Sequence, residues 1–275
     1  MTLRYEAAAL DGAARAGVIT TARGNIPTPM FMPVGTRGAV RTVDSGDLEA
    51  LDAPIILGNT YHLMLRPGAD VVADLGGLHG FMDWRHAILT DSGGYQVFSL
   101  EPKITDEGAT FRSTYDGTTH LLTPESAVDI QVALGSDIQM VLDVCSPLPA
   151  SHSVLSDAVV QTARWAARAR TRFLHHRSEG FAHGVPLNQF GIVQGGVDLD
   201  LRRDSARRTV DLGFEGYAVG GLSVGEERAV MMEALDAALE HLPADQPRYL
   251  MGVGDPIGII ESVARGIDMF DCVLP

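Results

Sequence analysis

Residues 87–94 have the sequence AILTDSGG. A short apolar run, residues 87–89, is followed by Thr90, Asp91 and Ser92 and then by two glycines. The same arrangement, an apolar run that stops at Gly, Asp, Asn or Gln, recurs along the chain. The runs lie at 30–34, 55–57, 87–89, 138–142, 191–193, 217–219, 249–251 and 267–270. Continuous apolar runs are typical of parallel strands that are buried on both faces.

Helical patterns occupy most of the gaps between these runs. They lie at 124–134, 157–175, 199–212, 226–242 and 256–265. Two of them begin with a capping residue followed by proline, at Thr123 and at Asp255. Strands that alternate with helices in this way predict the α/β class and a (β/α)8 TIM barrel. We expect a single catalytic domain over residues 1–275.

Three segments depart from the alternation. Residues 110–114 and 118–122 flank a turn and predict a β-hairpin inserted after the third strand. The first 25 residues predict extra strands that cover the lower end of the barrel. The last strand ends at Asp271 and the sequence ends at Pro275, so the last helix is expected to be missing and the domain to be truncated at its C-terminus.

The composition restricts the function classes. The formal net charge of −14 and the pI near 4.9 argue, taken alone, against a nucleic-acid partner. The two cysteines, Cys145 and Cys272, exclude a disulfide framework, and no histidines complete a zinc site, so the histidines are interpreted as surface residues. No signal peptide or membrane span is apparent, and we expect a cytoplasmic protein.

The candidate site comes from the carboxyl ends of the strands, where barrels carry their chemistry. The polar or exposed positions there are Asn59, Asp91, Asp143, Cys145, Gln194, Gly220, Gly221, Met251, Asp255 and Asp271. Any single aspartate could instead cap a helix. Three carboxylates around one ring, with no adjoining Lys or Arg, favour acid/base or glycosyl chemistry.

Neighbouring residues refine this site. Alternation along a strand predicts that Asp143 and Cys145 face the same way, and that Cys272 points away from Asp271 into the core. Glycine pairs at 93–94, 195–196 and 220–221 allow close approach to a ligand, although tight turns explain them equally well. Tyr95 and Met251 could hold a flat ligand between them. Glu226 is expected in the first turn of its helix.

Six motifs, in order along the chain, together resemble one known family. They are NTYHL at 59–63, DSGGYQVF at 91–98, GIVQGG at 191–196, GGLSVGE at 220–226, YLMGVGD at 249–255 and MFDCVLP at 269–275. The chain is therefore similar to bacterial-type tRNA-guanine transglycosylase. The resemblance implies exchange of the wobble guanine of tRNA with a GUN anticodon for 7-aminomethyl-7-deazaguanine, in queuosine biosynthesis.

The resemblance also implies residue roles. Asp271 corresponds to the nucleophile that forms a covalent Asp–ribose intermediate, and Asp91 to the proton acceptor. The residues that match the base-binding positions are Asp91, Ser92, Gly93, Gly94, Tyr95, Asp143, Cys145, Gln194, Gly220, Gly221, Leu222 and Met251. Those that match an RNA-binding stretch are Gly252, Val253, Gly254, Asp255, Pro256, Ile257 and Gly258.

Two departures from the family pattern stand out. Val144 occupies a position where the bacterial pattern has Glu, which puts any base-dependent switch there in doubt. The family also carries a structural zinc, whose ligands are expected beyond Pro275, so no metal ligand is predicted in this chain. The resemblance further implies a homodimer when the protein is full length. A run of arginines on one predicted helix is interpreted as solvated surface: Arg164, Arg168, Arg170, Arg172 and Arg177.

Three alternatives remain open. A retaining glycoside hydrolase on a TIM barrel would also use paired carboxylates, but such enzymes line their clefts with Trp, and this chain has only Trp84 and Trp165. A non-catalytic queuine-binding partner subunit should lack Asp91 and Asp271. A family member that uses free queuine needs a wider pocket than Cys145 and Val224 suggest.

Overall fold

The computed structural model describes residues 3–181 and 183–273, which fold around a barrel of parallel strands. The strands are β1 (Arg4–Asp11), β2 (Ala14–Thr21), β3 (Gly24–Thr28), β4 (Met30–Met32), β5 (Val34–Gly35), β6 (Ile55–Gly58), β7 (Ala87–Thr90), β8 (Lys103–Ile104), β9 (Ala109–Arg112), β10 (Thr119–Leu122), β11 (Ile138–Met140), β12 (Asn188–Val193), β13 (Gly216–Val219), β14 (Arg248–Leu250) and β15 (Met269–Asp271).

The barrel sheet has the order β4-β15-β14-β13-β12-β11-β7-β6-β5, and all its neighbours are parallel. Its two end strands, β4 and β5, are consecutive halves of one strand, so the barrel closes on itself. Pro33 separates the halves because it has no N–H to donate, while its carbonyl still accepts from Leu57 N at 2.9 Å. Every predicted run thus contributes to a barrel strand, and the predicted TIM-barrel fold is confirmed.

The three N-terminal strands form a separate antiparallel sheet at the lower end of the barrel, as predicted. Arg15 on β2 reaches Asp268, directly before β15, with a 2.8 Å bond from Nε to Oδ1 and a second contact from its other guanidinium nitrogen. Tyr5 also donates to Asp268, at 3.1 Å. These buried polar contacts attach the sheet to the side of the barrel opposite the predicted site.

The inserted segment after β7 is a three-stranded antiparallel sheet, ordered β10-β9-β8. The hairpin of β9 and β10 was predicted, with strand ends that differ by at most two residues, whereas β8 was not predicted. The hairpin is held to the barrel by Tyr61, whose hydroxyl lies 2.9 Å from Thr114 Oγ1 and accepts from Thr114 N at 3.2 Å. The insertion therefore stands beside the loop that follows β6.

The helices are α1 (Ser45–Ala50), α2 (Thr60–Leu65), α3 (Ala69–Asp74), α4 (Gly77–Met82), α5 (Gly94–Phe98), α6 (Pro124–Leu134), α7 (His152–Glu179), α8 (Leu199–Val210), α9 (Arg228–Leu239) and α10 (Pro256–Val263). The last five were predicted, and α6 has the predicted bounds. Helix α7 extends beyond its predicted bounds at both ends, and Ser151 caps its start. The first five were not predicted, since one or two turns are too short to show helical periodicity.

Helix α9 corrects one residue of the sequence analysis. It begins at Arg228, so Glu226 lies before the helix rather than in its first turn. The Glu226 carboxylate instead accepts hydrogen bonds from the backbone amides of Ser223 and Val224, and it stabilises the loop after β13. No helix in the described ranges has both the length and the hydrophobicity that crossing a bilayer requires.

Candidate active site

The carboxyl ends of the barrel strands surround a cavity of about 320 Å³. The predicted site residues that line it are Asp91, Ser92, Gly94, Tyr95, Asp143, Cys145, Gln194, Gly220, Gly221, Leu222, Met251 and Asp271. Gly93 does not line the cavity, but its backbone amide donates to Asp91 at 3.1 Å. The structure thus brings together the residues that were selected at the strand ends, except Asp255, which does not line the cavity.

Asp91 follows β7 and is held by three neutral donors. Asn59 Nδ2 donates to Oδ2 at 2.7 Å, while the amides of Thr60 and Gly93 donate to Oδ1. Burial raises the pKa of Asp91 to about 7; the two amide bonds oppose the shift, and the charges of Asp271 and Asp143 add to it. At neutral pH this carboxyl group therefore exists in both protonation states, as a proton shuttle requires.

Asp271 ends β15 and receives two hydrogen bonds on the same oxygen. Tyr249 OH donates to Oδ1 at 2.6 Å and Gly252 N donates to it at 2.8 Å. Burial raises the pKa of Asp271, while the bonds from Tyr249 and Gly252 act in the opposite direction. Burial and the neighbouring Asp271 raise the pKa of Tyr249 well above its ordinary value, so Tyr249 stays a donor. No hydrogen bond from the described residues reaches Asp271 Oδ2, which leaves that oxygen available to a ligand.

Asp143 forms the third acidic position together with Gln194. Gln194 Nε2 donates to Asp143 Oδ2 at 2.6 Å. Burial raises the pKa of Asp143 to about 6, against the effect of the Gln194 bond. Cys145 lines the same cavity, as the alternation predicted, and burial followed by the charge of Asp143 raises its pKa to about 12. Cys145 is therefore a neutral thiol that forms part of the cavity wall, and it is not a nucleophile.

The loop after β13 approaches the cavity as bare backbone. Gly221 has a φ of +63°, and a Cβ there would lie 2.2 Å from Gln194 Oε1. Beneath it, the buried guanidinium of Arg202 on α8 donates to the carbonyls of Gly196, Val193, Gly220 and Gly221 at 2.7 to 3.1 Å. Arg202 thereby joins the loops after β12 and β13. No sequence signal marks Arg202, because it lies on a helix, away from the strand ends.

The two predicted platform residues both lie at this cavity. Tyr95 is 65% exposed, so one of its ring faces is accessible to a ligand. Met251 is partly buried, and its Sδ lies next to the Gly220 backbone. An exposed aromatic ring and a thioether suit the faces of a planar ligand.

Comparison with known proteins adds independent information. A sequence model of the family described as Queuine tRNA-ribosyltransferase matches residues 11–275. The Queuine tRNA-ribosyltransferase of Jannaschia sp. is 54% identical over 269 residues, which cover 97% of this chain and 69% of the relative. Those of Desulforudis audaxviator (54% over 264 residues, 95% and 69%) and Mesorhizobium japonicum (54% over 273 residues, 98% and 70%) are similarly related.

The chain belongs to the queuine tRNA-ribosyltransferase family. The resemblance seen in the six sequence motifs is thereby confirmed. The cavity just described, with its three carboxylates, is the candidate active site of this family member.

Three details of the site differ from the sequence analysis. His62 was interpreted as a surface residue together with the other histidines, but it is partly buried and lines the cavity. Cys272 was interpreted as core, but it is only partly buried and lines the cavity. It lies beyond the end of β15, where strand alternation no longer fixes its direction. Val144, the departure from the bacterial motif, is buried in the apolar cluster that includes Phe111 and Trp165. Val144 therefore faces away from Asp143 and does not line the cavity.

The predicted RNA-binding stretch has mixed surroundings. Of its residues, Gly252 lines the cavity, and Val253 is buried. Asp255 caps α10 by accepting from Gly258 N at 2.9 Å, and it forms an ion pair with Arg228 at 2.8 Å. The stretch is thus held rigidly beside Asp271.

The arginines of α7 do not form a free basic surface. They pair with carboxylates of neighbouring elements: Arg164 with Asp106, Arg168 with Glu125, Arg172 with Asp129, and both Arg170 and Arg177 with Glu215. Arg170 is buried, so the interpretation of this run as solvated surface is wrong for that residue.

The part of the chain that the structure describes has no cluster of three or more His, Cys, Asp or Glu side chains placed to hold a metal ion. The structural zinc that the resemblance implies therefore finds no ligand set among these residues, and no chemistry at the cavity is assigned to it.

Proposed function

We propose that this protein exchanges the guanine at the wobble position of tRNA bearing a GUN anticodon for 7-aminomethyl-7-deazaguanine. The observation that carries the proposal is the ring of three buried carboxylates, held by neutral donors, at the strand ends of a chain in this family. Buried charges without a counter-ion are costly, and they are typical of sites where charge must develop or move.

Asp271 acts as the nucleophile. Its Oδ2 lone pair attacks C1′ of the ribose, and the bond from C1′ to the guanine nitrogen breaks with its electrons leaving on the base. Tyr249 and the Gly252 amide hold Oδ1 and fix the carboxylate for this attack. The result is a covalent RNA–enzyme ester, following the logic of retaining glycosidases with a base as the leaving group.

Asp91 acts as the general acid and then as the general base. In its acid form it gives a proton to the departing guanine, and it then takes one from the ring nitrogen of the incoming base. That nitrogen attacks C1′ and releases the Asp271 carboxylate. A pKa near 7 suits both directions, because neither form of Asp91 is scarce at neutral pH.

Asp143, Gln194 and the Gly221 amide recognise the base. Asp143 accepts from the N–H edge of the purine. Gln194 donates one Nε2 hydrogen to Asp143, so its second Nε2 hydrogen is available to the carbonyl of the base. The Gly221 N–H donates to the same carbonyl. A base that lacks this edge would leave buried polar groups unpaired, which is how such sites discriminate strongly.

The remaining residues that match base-binding positions complete the pocket. Tyr95 and Met251 stack on the two faces of the base, and Ser92, Gly93, Gly94, Cys145, Gly220 and Leu222 shape its walls. Residues 252–258 contact the RNA, whose wobble base is flipped out of the loop to enter the cavity. We further propose that the protein acts in the cytoplasm as a homodimer, and that structural zinc is bound outside the residues described.

The glycoside hydrolase alternative gains no support from the cavity. Trp84 and Trp165 are both fully buried, so neither offers a platform for a sugar. The partner-subunit alternative is disfavoured because Asp91 and Asp271 are both present and both line the cavity.

The test is incorporation of labelled guanine into tRNA with a GUN anticodon, together with trapping of the covalent RNA complex. We expect wild-type protein to do both, and Asp271→Asn to bind RNA but to form no trapped complex. The matched control is Cys272→Ser, which alters the next cavity residue and should trap RNA normally. An undiminished complex with Asp271→Asn would contradict the nucleophile assignment.

A further inference from the structure

Some cations of this acidic protein form ion pairs with carboxylates, and others do not. Most arginines pair with carboxylates or donate to buried carbonyls, as those of α7 and α8 do. In the described part of the chain, the exposed cations without a carboxylate within 4 Å are Arg37, Arg41, Arg66, Arg85, Lys103 and Arg112. All of them lie in the first half of the sequence, and only Arg85 lies at the lower end of the barrel, just before β7.

Two of these cations meet at one aromatic ring. The guanidinium carbon of Arg66 lies 4.8 Å from the centroid of Tyr115, and that of Arg37 lies 5.6 Å from it. We call Arg37, Arg66 and Tyr115 the arginine rim. The nearby Asp116 carboxylate is engaged by Thr118, which donates to it from both its amide and its hydroxyl. The rim therefore keeps two positive charges without an acidic partner in a protein of net charge −14.

The arginine rim adjoins the active site through His62. His62 lines the cavity, and its Nδ1 lies 2.8 Å from Tyr115 OH. Thr36, the residue before Arg37, lines the cavity as well. Burial, and secondly the charge of Arg37, lowers the pKa of His62, in accord with a guanidinium close to the cavity wall.

The rim is also held in place. Tyr115 lies in the turn between β9 and β10, and this turn is fixed to α2 by the Tyr61–Thr114 and His62–Tyr115 hydrogen bonds. Arg66 is the C-cap residue of the same α2. Guanidinium groups that rest on an aromatic ring lose less freedom when they bind an anion than unsupported ones do.

We propose that the arginine rim binds the phosphate backbone of the RNA beside the nucleotide whose base enters the cavity. This inference rests on the proposed function and adds a surface that the predicted RNA-binding stretch does not supply, since the nearest cation to that stretch, Arg228, is paired with Asp255. Two adjacent guanidinium groups can donate hydrogen bonds to phosphate oxygens. Their positive electrostatic potential attracts RNA to an otherwise acidic molecule. Phosphate contacts position the RNA without reading its sequence.

The experiment compares Arg37→Gln/Arg66→Gln with Arg85→Gln, which removes an equally exposed and unpaired arginine at the opposite end of the barrel. Binding of a fluorescent RNA hairpin with a GUN anticodon loop is measured over a series of salt concentrations. We expect the double variant to bind about ten- to a hundredfold more weakly at low salt. Its plot of log K against log salt should be shallower by about 1 to 2. Arg85→Gln should match wild type in both respects.

Further measurements separate the possible failures. A hairpin with adenine in place of the wobble guanine should lose affinity by the same factor, because phosphates and not bases are contacted. Thermal melting of each variant should match wild type, since all three arginines are exposed. If the double variant keeps the wild-type affinity and salt slope while wild type traps RNA covalently, the rim proposal is wrong and the proposed function stands. If wild type binds no RNA, both are wrong.

Discussion

The two ends of the barrel bury the same residue type in opposite ways. At the lower end, Asp268 contacts the buried guanidinium of Arg15, and Asp137 lies 3.1 Å from His79 and 3.4 Å from Arg23. At the upper end, Asp91, Asp143 and Asp271 form no ion pair with the described residues and are held by amides and by Tyr249.

This difference separates stability from chemistry. Burial raises the pKa of Asp268 as well, but the Arg15 guanidinium opposes that shift and favours the ionised form, and the pair fixes neighbouring elements in place. A buried carboxylate with only neutral donors keeps a raised pKa, as Asp91 and Asp143 do, and is ready to exchange protons. Substitutions at the upper end should therefore change the rate of catalysis, whereas substitutions at the lower end should change the free energy of unfolding.

The largest expected effect is on catalysis, from Asp91→Asn. Removing the proton shuttle should lower kcat for base exchange by about 10³- to 10⁴-fold. The free energy of unfolding should fall by no more than about 1 kcal/mol, because the lost bond with Asn59 is offset by removal of a buried charge. Steady-state guanine exchange and urea denaturation of the same preparation measure both quantities.

The control for this experiment is Ser92→Ala, which alters the adjacent cavity residue but leaves the carboxyl group. It should keep kcat within about tenfold of wild type, since it removes no proton donor or acceptor from the reaction. If Asp91→Asn exchanged guanine at the wild-type rate, or unfolded as readily as a variant of the lower end, the contrast between the two ends would fail.

The second effect is on stability, from Arg15→Met at the lower end. Loss of the guanidinium leaves Asp268 buried with an uncompensated charge and abandons two carbonyls, of Ala244 and Gln246. We expect the free energy of unfolding to fall by about 3 to 5 kcal/mol, with kcat of the folded protein unchanged. Arg23→Met is the matched control: its contact with Asp137 is longer, and its side chain is 27% exposed, so the loss should be smaller.

The barrel was largely predictable from the sequence because each strand is a continuous apolar run. The site was predictable because barrels place their chemistry where such runs end. Arg202 and Tyr249, and the hydrogen bond from Asn59 to Asp91, show the limit. Their contributions are hydrogen bonds to backbone or carboxylate atoms of other elements, and no local pattern indicates them.

The arginine rim shows the same limit for surfaces. The net charge of the chain argued against an RNA partner. RNA binding depends instead on which cations have no carboxylate neighbour. Contacts between distant segments decide this, and the sequence does not show them. From the sequence alone, Arg168 and Arg66 are both expected to be solvent-exposed cations. In the structure, Arg168 forms an ion pair with Glu125, whereas the guanidinium of Arg66 lies over the ring of Tyr115. Conversely, Cys272 and Glu226 were misplaced because the exact ends of β15 and α9 decide their directions.

The smallest expected effect is on the pH dependence of stability. In the folded protein the pKa of Asp91 is raised from 3.8 to about 7 and that of Asp143 to about 6. Between about pH 4 and pH 7 the folded state therefore binds more protons than the unfolded state, and the free energy of unfolding falls as the pH rises. Both contributions are fully present below the unfolded pKa and are lost as the pH passes the folded values.

Urea denaturation should therefore show wild type to be about 1 to 2 kcal/mol less stable at pH 8 than at pH 6. Asp91→Asn should remove most of the fall above pH 6 and about half of the fall below it, whereas Asp143→Asn should remove about half of the fall below pH 6 and little above it, because both groups titrate up to about pH 6 and only Asp91 above it. An identical slope in wild type and both variants would mean that the upper carboxylates titrate as ordinary surface groups. The neutral hydrogen-bond donors would then be insufficient to account for an acid/base pair at this end of the barrel, and the distinction between the two ends would rest on the ion pairs of the lower end alone.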